Sequence, residues 1–179
     1  MGFDAHDVVT MRVAISPARY PDDRPRDFYR DALTRVQALP GVESAAVAAS
    51  LPMIGIPRGV TRFHALGTPE RAPADLPVTV VRMVGPGYFR TLHIPVLRGR
   101  EFTESDNENA MAGFVVNEAF ARSYLSGRDP LATYVSVRMQ EKNPHLPIIG
   151  VVGDVSEGSV RVAPQPTVFY SHGRMEACT

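Results

Sequence analysis

The sequence has a single cysteine and no tryptophan. One thiol, Cys178, cannot close an internal disulfide, and no second cysteine stands near it to share a metal ion. Neither sign of charge is in excess: Lys plus Arg and Asp plus Glu both total 19. A formal net charge of zero removes the broad basic field that nucleic-acid binding needs, so no nucleic-acid partner is expected. Long apolar runs are also missing. The best stretch, residues 147–152, is strand-sized, against the roughly 18–20 apolar residues that cross a bilayer. Residues 1–7 carry Asp4 and Asp7 and no apolar h-region, so they do not read as a signal peptide.

Proline and glycine are plentiful, 16 and 14 residues, which points to many short elements and turns rather than a helical bundle. Apolar residues make up 44%, enough for one compact domain or two small subdomains sharing a core. Residues 8–15 alternate, with Val9, Met11, Val13 and Ile15 on one side, which predicts a half-buried strand. A helix is predicted to begin at Pro25, with Asp27 in its first turn and an apolar stripe of Phe28, Ala32, Val36 and Leu39. Pro40-Gly41 stops it, and residues 42–50 read as a second strand, completing a βαβ pattern. Residues 61–66 and 78–84 form a predicted hairpin across the loop 67–77. A helical turn follows Pro86-Gly87, and residues 94–97 return as a strand. Beyond an acidic stretch, residues 114–116 are strand-like and Asn117 is placed to cap a helix over 118–125. Residues 135–139 alternate, while 148–155 and 167–170 read as buried strands.

No catalytic constellation emerges, and no catalytic, cofactor-binding or metal-binding residue is assigned. His6, His64, His93, His145 and His172 lack the i, i+4 spacing of a metal-binding helix, although folding can bring His64 near His93. Glu104, Asp106 and Glu108 alternate as in a calcium loop, but the central glycine is missing, and Thr103 suggests a capped turn instead. Gly150 and Gly153 are similar to a phosphate loop yet complete neither glycine motif, so a close packing of backbones is expected. Ser50 lacks the flanking glycines of a nucleophile elbow, and Cys178 has no evident base. Tyr88, Phe89 and Arg90 read as an exposed aromatic-basic patch or, more simply, as core residues at the start of a short helix.

A series of phrases resembles the periplasmic core domain of MacB-type permeases, within the FtsX/MacB class of ABC transporters. They are Gly2-Phe3-Asp4, Val9-Thr10-Met11-Arg12, Phe28-Tyr29-Arg30 and Leu39-Pro40-Gly41-Val42-Glu43. Ser50-Leu51-Pro52 follows, then Pro86-Gly87-Tyr88-Phe89-Arg90-Thr91-Leu92 and the run from Ile94 to Phe102. Val115-Val116-Asn117-Glu118, Asp129-Pro130-Leu131 and the run from Ile149 to Val155 complete the series in order along nearly the whole chain. The resemblance implies an α+β fold over residues 1–179, with a porter-like βαβ subdomain over about residues 8–100 and a second, mostly β subdomain over about 110–172. It implies a soluble extracytoplasmic, periplasmic domain set between two transmembrane helices of a permease, starting just after one and stopping before the next. The implied role is non-catalytic coupling of transmembrane-helix motion to a periplasmic partner or exported substrate, with an ATPase domain or subunit acting from elsewhere and no cofactor. Loops 51–58 and 67–77 are the expected contact surfaces. The alternatives are a free-standing or sensory module that captures a small ligand, marked by a deep apolar pocket, and a hydrolase, marked by Ser50 beside a histidine.

Overall fold

The computed structural model describes residues 2–15, 24–52, 59–108, 113–139, 144–156 and 163–171. Its strands are β1 (Val60–Ala65), β2 (Val78–Val84), β3 (Val96–Gly99), β4 (Phe114–Asn117), β5 (Tyr134–Val137), β6 (Leu146–Val152) and β7 (Thr167–Ser171). The helices are α1 (Arg24–Gln37), α2 (Tyr88–Thr91), α3 (Glu104–Glu108) and α4 (Glu118–Tyr124), and a 3₁₀ turn covers Pro130–Ala132. The class is α+β, as the resemblance implied.

The strands run in the order β3-β6-β4-β7-β2-β1-β5, and β5 also pairs with β6. That last pairing closes six strands into a hydrogen-bonded ring, with β3 attached as an extra strand along β6. The β2–β7 and β4–β6 pairs are parallel and the others antiparallel. The N-terminal hairpin β1–β2 is inserted between strands of the second half of the chain, with β7 on the β2 side and β5 on the β1 side. Closure satisfies backbone groups that an open sheet would leave at its edges.

The two-residue period of strands sorts side chains to the two sides of this wall. Phe63 and Ala65 of β1, Phe114 and Val116 of β4, Val135 and Val137 of β5, Leu146 and Ile148 of β6 and Val168 of β7 share one buried cluster with Phe120 and Leu125. Val84, Val115, Val152 and Phe169 belong to a second cluster, covered by Tyr88, Phe89 and Leu92 of the α2 region, Ile94 and Phe102. Val115 and Val116 are sequence neighbours in different cores because the sheet lies between them. The aromatic pair Tyr88-Phe89 is therefore core, 3% and 1% exposed.

The N-terminal part differs from expectation. Residues 8–15 form no strand, and Val9 and Met11 are 94% and 78% exposed. Alternation selects a face but does not provide a ladder partner, and among the described residues none pairs with this segment. Helix α1 forms where its stripe placed it, and Phe28, Ala32 and Val36 are half-buried. Residues 42–50 are held without becoming a strand: Ala48 makes one bridge to Val84, and the Ala49 and Gly85 amides donate to Met83 and Val47 carbonyls at 3.0 and 2.7 Å.

Gly150 on β6 shows why Gly150 and Gly153 are not a phosphate loop. A Cβ at this position would collide with the Arg100 carbonyl, and the Arg100 amide donates to Ile149 O at 3.0 Å. Gly153 likewise donates to Pro95 O at 2.8 Å. The first is a close backbone crossing that only glycine admits, and at Gly153 a Cβ would press on the Pro95 ring.

Candidate functional site

The loop 67–77 leaves the ring between β1 and β2, and residues 69–75 are exposed. Its exposure comes with firm anchoring. Arg62 donates from Nε and Nη2 to the Ala74 carbonyl at 3.3 and 3.2 Å. From the opposite side, Arg128 donates from Nη1 to Leu66 O at 3.2 Å and from Nη2 to Gly67 O at 2.7 Å. Thr68 Oγ1 adds a bond to Ala65 O at 2.7 Å. Guanidinium groups suit this task because their several donors reach carbonyls that the loop leaves unpaired.

Beside the loop runs a groove, open to solvent and lined by Leu66, Gly67, Arg128, Asp129, Thr133 and Tyr134 among others. Leu66 and Tyr134 are half-exposed there, joined by the Leu66 amide donating to Tyr134 O at 2.8 Å. Asp129 forms one wall: it accepts from Arg98 Nη2 at 2.9 Å and from the Leu131 amide at 3.1 Å. Loop and groove together make a surface that mixes apolar groups with charges of both signs. The second expected loop, 51–58, falls mostly outside the described residues.

The other singled-out residues have definite places. Ser50 Oγ accepts from Arg82 Nη1 at 2.5 Å, and a guanidinium does not serve as the base a serine nucleophile requires. His172 and Cys178 lie outside the described residues. His6 contacts Asp7 through Nδ1 at 2.9 Å, both exposed. The ring contact of His64 is His145, with Nδ1 and Nε2 at 3.1 Å, and not His93 as the sequence had suggested. His93 is exposed just past α2, at a positive φ of 52°. Among the described residues no group of three or more His, Cys, Asp or Glu is placed to hold a metal ion. The bracing role of Arg62 and Arg128 was not visible in the sequence, because both bind backbone carbonyls, which have no sequence signature.

Asp106 is buried, whereas Glu104 is exposed. Its carboxylate accepts from Thr103 N at 2.7 Å and Oγ1 at 2.8 Å, and from Arg100 Nη1 and Nη2 at 2.6 and 3.0 Å. This is the capped turn that Thr103 announced, with the acid three residues on returning to the cap amide. Burial alone would raise the Asp106 pKa, but the bonds from Arg100 and Thr103 together prevail and hold it below the ordinary 3.8. A carboxyl lowered on folding contributes stability that is present above its unfolded value and lost as pH falls through the folded value. Asp106→Asn is therefore expected to cost about 1–3 kcal/mol at pH 7, discounted because Arg100 is half-exposed and can rehydrate. The gap from wild type should narrow below about pH 4, as the wild-type carboxyl protonates. Urea midpoints at pH 7 and pH 3 measure this; an unchanged gap would mean that the charge of Asp106 contributes nothing.

The model of the MacB-like periplasmic core domain family matches residues 3–177. The chain belongs to this family. Solved structures agree at the level of fold. The periplasmic region of MacB from Actinobacillus actinomycetemcomitans superposes with a TM-score of 0.53 at 14% identity, over 80% of this chain and 55% of that one. The extracellular domain of the noncanonic ABC-type transporter YknZ from Gram-positive bacteria gives 0.51 at 15% identity, over 82% and 63%. A domain of a putative permease protein from Porphyromonas gingivalis gives 0.50 at 16% identity, over 77% and 54%. The chain thus spans between about half and two thirds of the length of these solved domains. No curated protein matches the sequence. As a member of this family, the chain is a MacB-like periplasmic core domain. No described helix is long and apolar enough to cross a membrane.

Proposed function

We propose that this MacB-like domain is a non-catalytic coupling element, passing the motion of transmembrane helices in its permease to a periplasmic partner or exported substrate. The ATPase domain or subunit would drive that motion from the cytoplasmic side. A closed ring of strands with cores on both sides of its wall resists internal deformation, so displacement at the membrane emerges as rigid-body rotation. The observation that carries the reading is the loop 67–77, exposed yet fastened to the ring through Arg62 and Arg128. A contact surface that transmits force must be accessible and must not yield.

The test uses the full-length permease in cells. Replacing residues 67–77 by a glycine-serine segment of equal length should lower transport on the order of tenfold, the scale of a typical coupling free energy. The double change Arg62→Ala and Arg128→Ala should lower it in the same direction while leaving the loop sequence intact. Normal transport with both loops, 51–58 and 67–77, replaced would sink the proposal.

A further inference from the structure

The ring register brings two of the five histidines together. His64 on β1 lies opposite Ser136 on β5, and on the other flank of β5 Tyr134 pairs with Pro147 and Val135 with Leu146. Continuing that register by one residue sets His145 level with Ser136. Phe63, Val135, Val137 and Leu146 all point into the ring core, so His64, Ser136 and His145 stand in a row on its outer face. The serine between them is short, and the imidazoles meet over it: His64 Nδ1 and His145 Nε2 are 3.1 Å apart, with the rings at 79° to each other. His64 Nε2 is buried without a hydrogen-bond partner among the described residues, which leaves Nδ1 as the nitrogen that an external ion can reach. His145 is exposed.

We propose that His64 and His145 form a two-histidine site for a borderline divalent transition-metal ion such as Zn²⁺. Imidazole nitrogens bind Zn²⁺ at about 2.0–2.1 Å, and two nitrogens at that distance and 3.1 Å apart subtend about 98° at the ion. That angle lies between octahedral and tetrahedral geometry, so the pair can chelate one ion with modest turning of the rings. Imidazole is a ligand suited to zinc, copper and nickel rather than to calcium or magnesium. No third His, Cys, Asp or Glu joins the pair among the described residues, so water or an incoming group would complete the coordination. Arg62 and Arg138 share the outer face and oppose a cation, although Arg62 is engaged at the Ala74 carbonyl. Affinity in the micromolar range is therefore expected, rather than that of a closed structural site.

The experiment titrates the chain with Zn²⁺ alone, by calorimetry in a non-chelating buffer and by NMR of the imidazole nitrogens. One ion per chain should bind, moving the ring nitrogens of His64 and His145 together. His145→Ala, at an exposed position, should weaken binding at least about tenfold, and His93→Ala and His6→Ala should leave it unchanged. If His64→Ala fails to fold, His145→Ala and the ring shifts decide the matter without it. Absence of binding, binding untouched by His145→Ala, or shifts confined to other histidines would each overturn the proposal and leave the pair as an imidazole–imidazole hydrogen bond.

Discussion

Phe63→Ala is expected to destabilise the domain by about 3–5 kcal/mol, the range for removing a large aromatic side chain from a packed core. Phe63 is 1% exposed, and its ring lies 4.8 Å from those of Phe120 and Tyr124, which contact each other at 5.3 Å. The trio ties β1 to α4, and Tyr124 also reaches back with its hydroxyl to Val78 O at 3.0 Å. Truncation leaves a cavity inside a ring whose closed hydrogen bonding prevents the walls from collapsing inward, which sets the expectation at this high range. At roughly 2–4 °C per kcal/mol for a domain of this size, the melting temperature should fall on the order of 10 °C. Calorimetry of the variant checks this. A loss below about 1 kcal/mol would mean that the ring interior repacks freely, which would also undermine the rigidity on which the coupling proposal rests.

Asn117→Ala should have the next largest effect, about 2–4 kcal/mol, through hydrogen bonds rather than apolar burial. Asn117 ends β4 and caps α4, and it is 2% exposed. Its Oδ1 accepts from the Phe120 amide at 3.0 Å and from the Thr167 amide at 2.8 Å, while Nδ2 donates to Gln165 O at 2.9 Å. One side chain thus caps a helix and fixes the start of β7. A cap alone accounts for about 1 kcal/mol; the remainder comes from polar backbone groups left unpaired in a buried place. Asn117→Asp separates these contributions: it retains both acceptor bonds, loses the donor to Gln165, and should cost less than alanine. Chemical denaturation of the two variants measures the difference. Equal losses for both would mean that losing the bond to Gln165 and burying a carboxylate against its carbonyl together outweigh the retained cap.

Local signals were the legible part of the chain. The stripe of α1 (except Leu39, which lies beyond the helix and is exposed), the Asn117 cap and the Thr103 turn rest on neighbours a few residues away, and the β1–β2 hairpin joins consecutive strands; each formed where its pattern placed it. The segment 8–15 has an equally clear pattern and formed no strand, because a strand depends on a partner that its own residues do not name. Glycine spacing excluded a phosphate loop, but only the structure identified Arg100 as the backbone crossing at Gly150.

The candidate surface shows the same division. The loop 67–77 was visible as a polar, proline-containing interruption between two strands, whereas its arginine braces come from β1 and from a turn some sixty residues away. The histidine contact spans 81 positions and exists only because β5 pairs with both β1 and β6. The sequence by itself determined the family resemblance, with the α+β class that it implied, and the local elements, since the first rests on motifs in order along the chain and the last on periodicity and short-range hydrogen bonding. Only the tertiary structure decided the closure of the ring, the division into two cores and the meeting of His64 with His145. Each depends on strand register between distant segments, and a shift of one residue would turn every side chain to the other face.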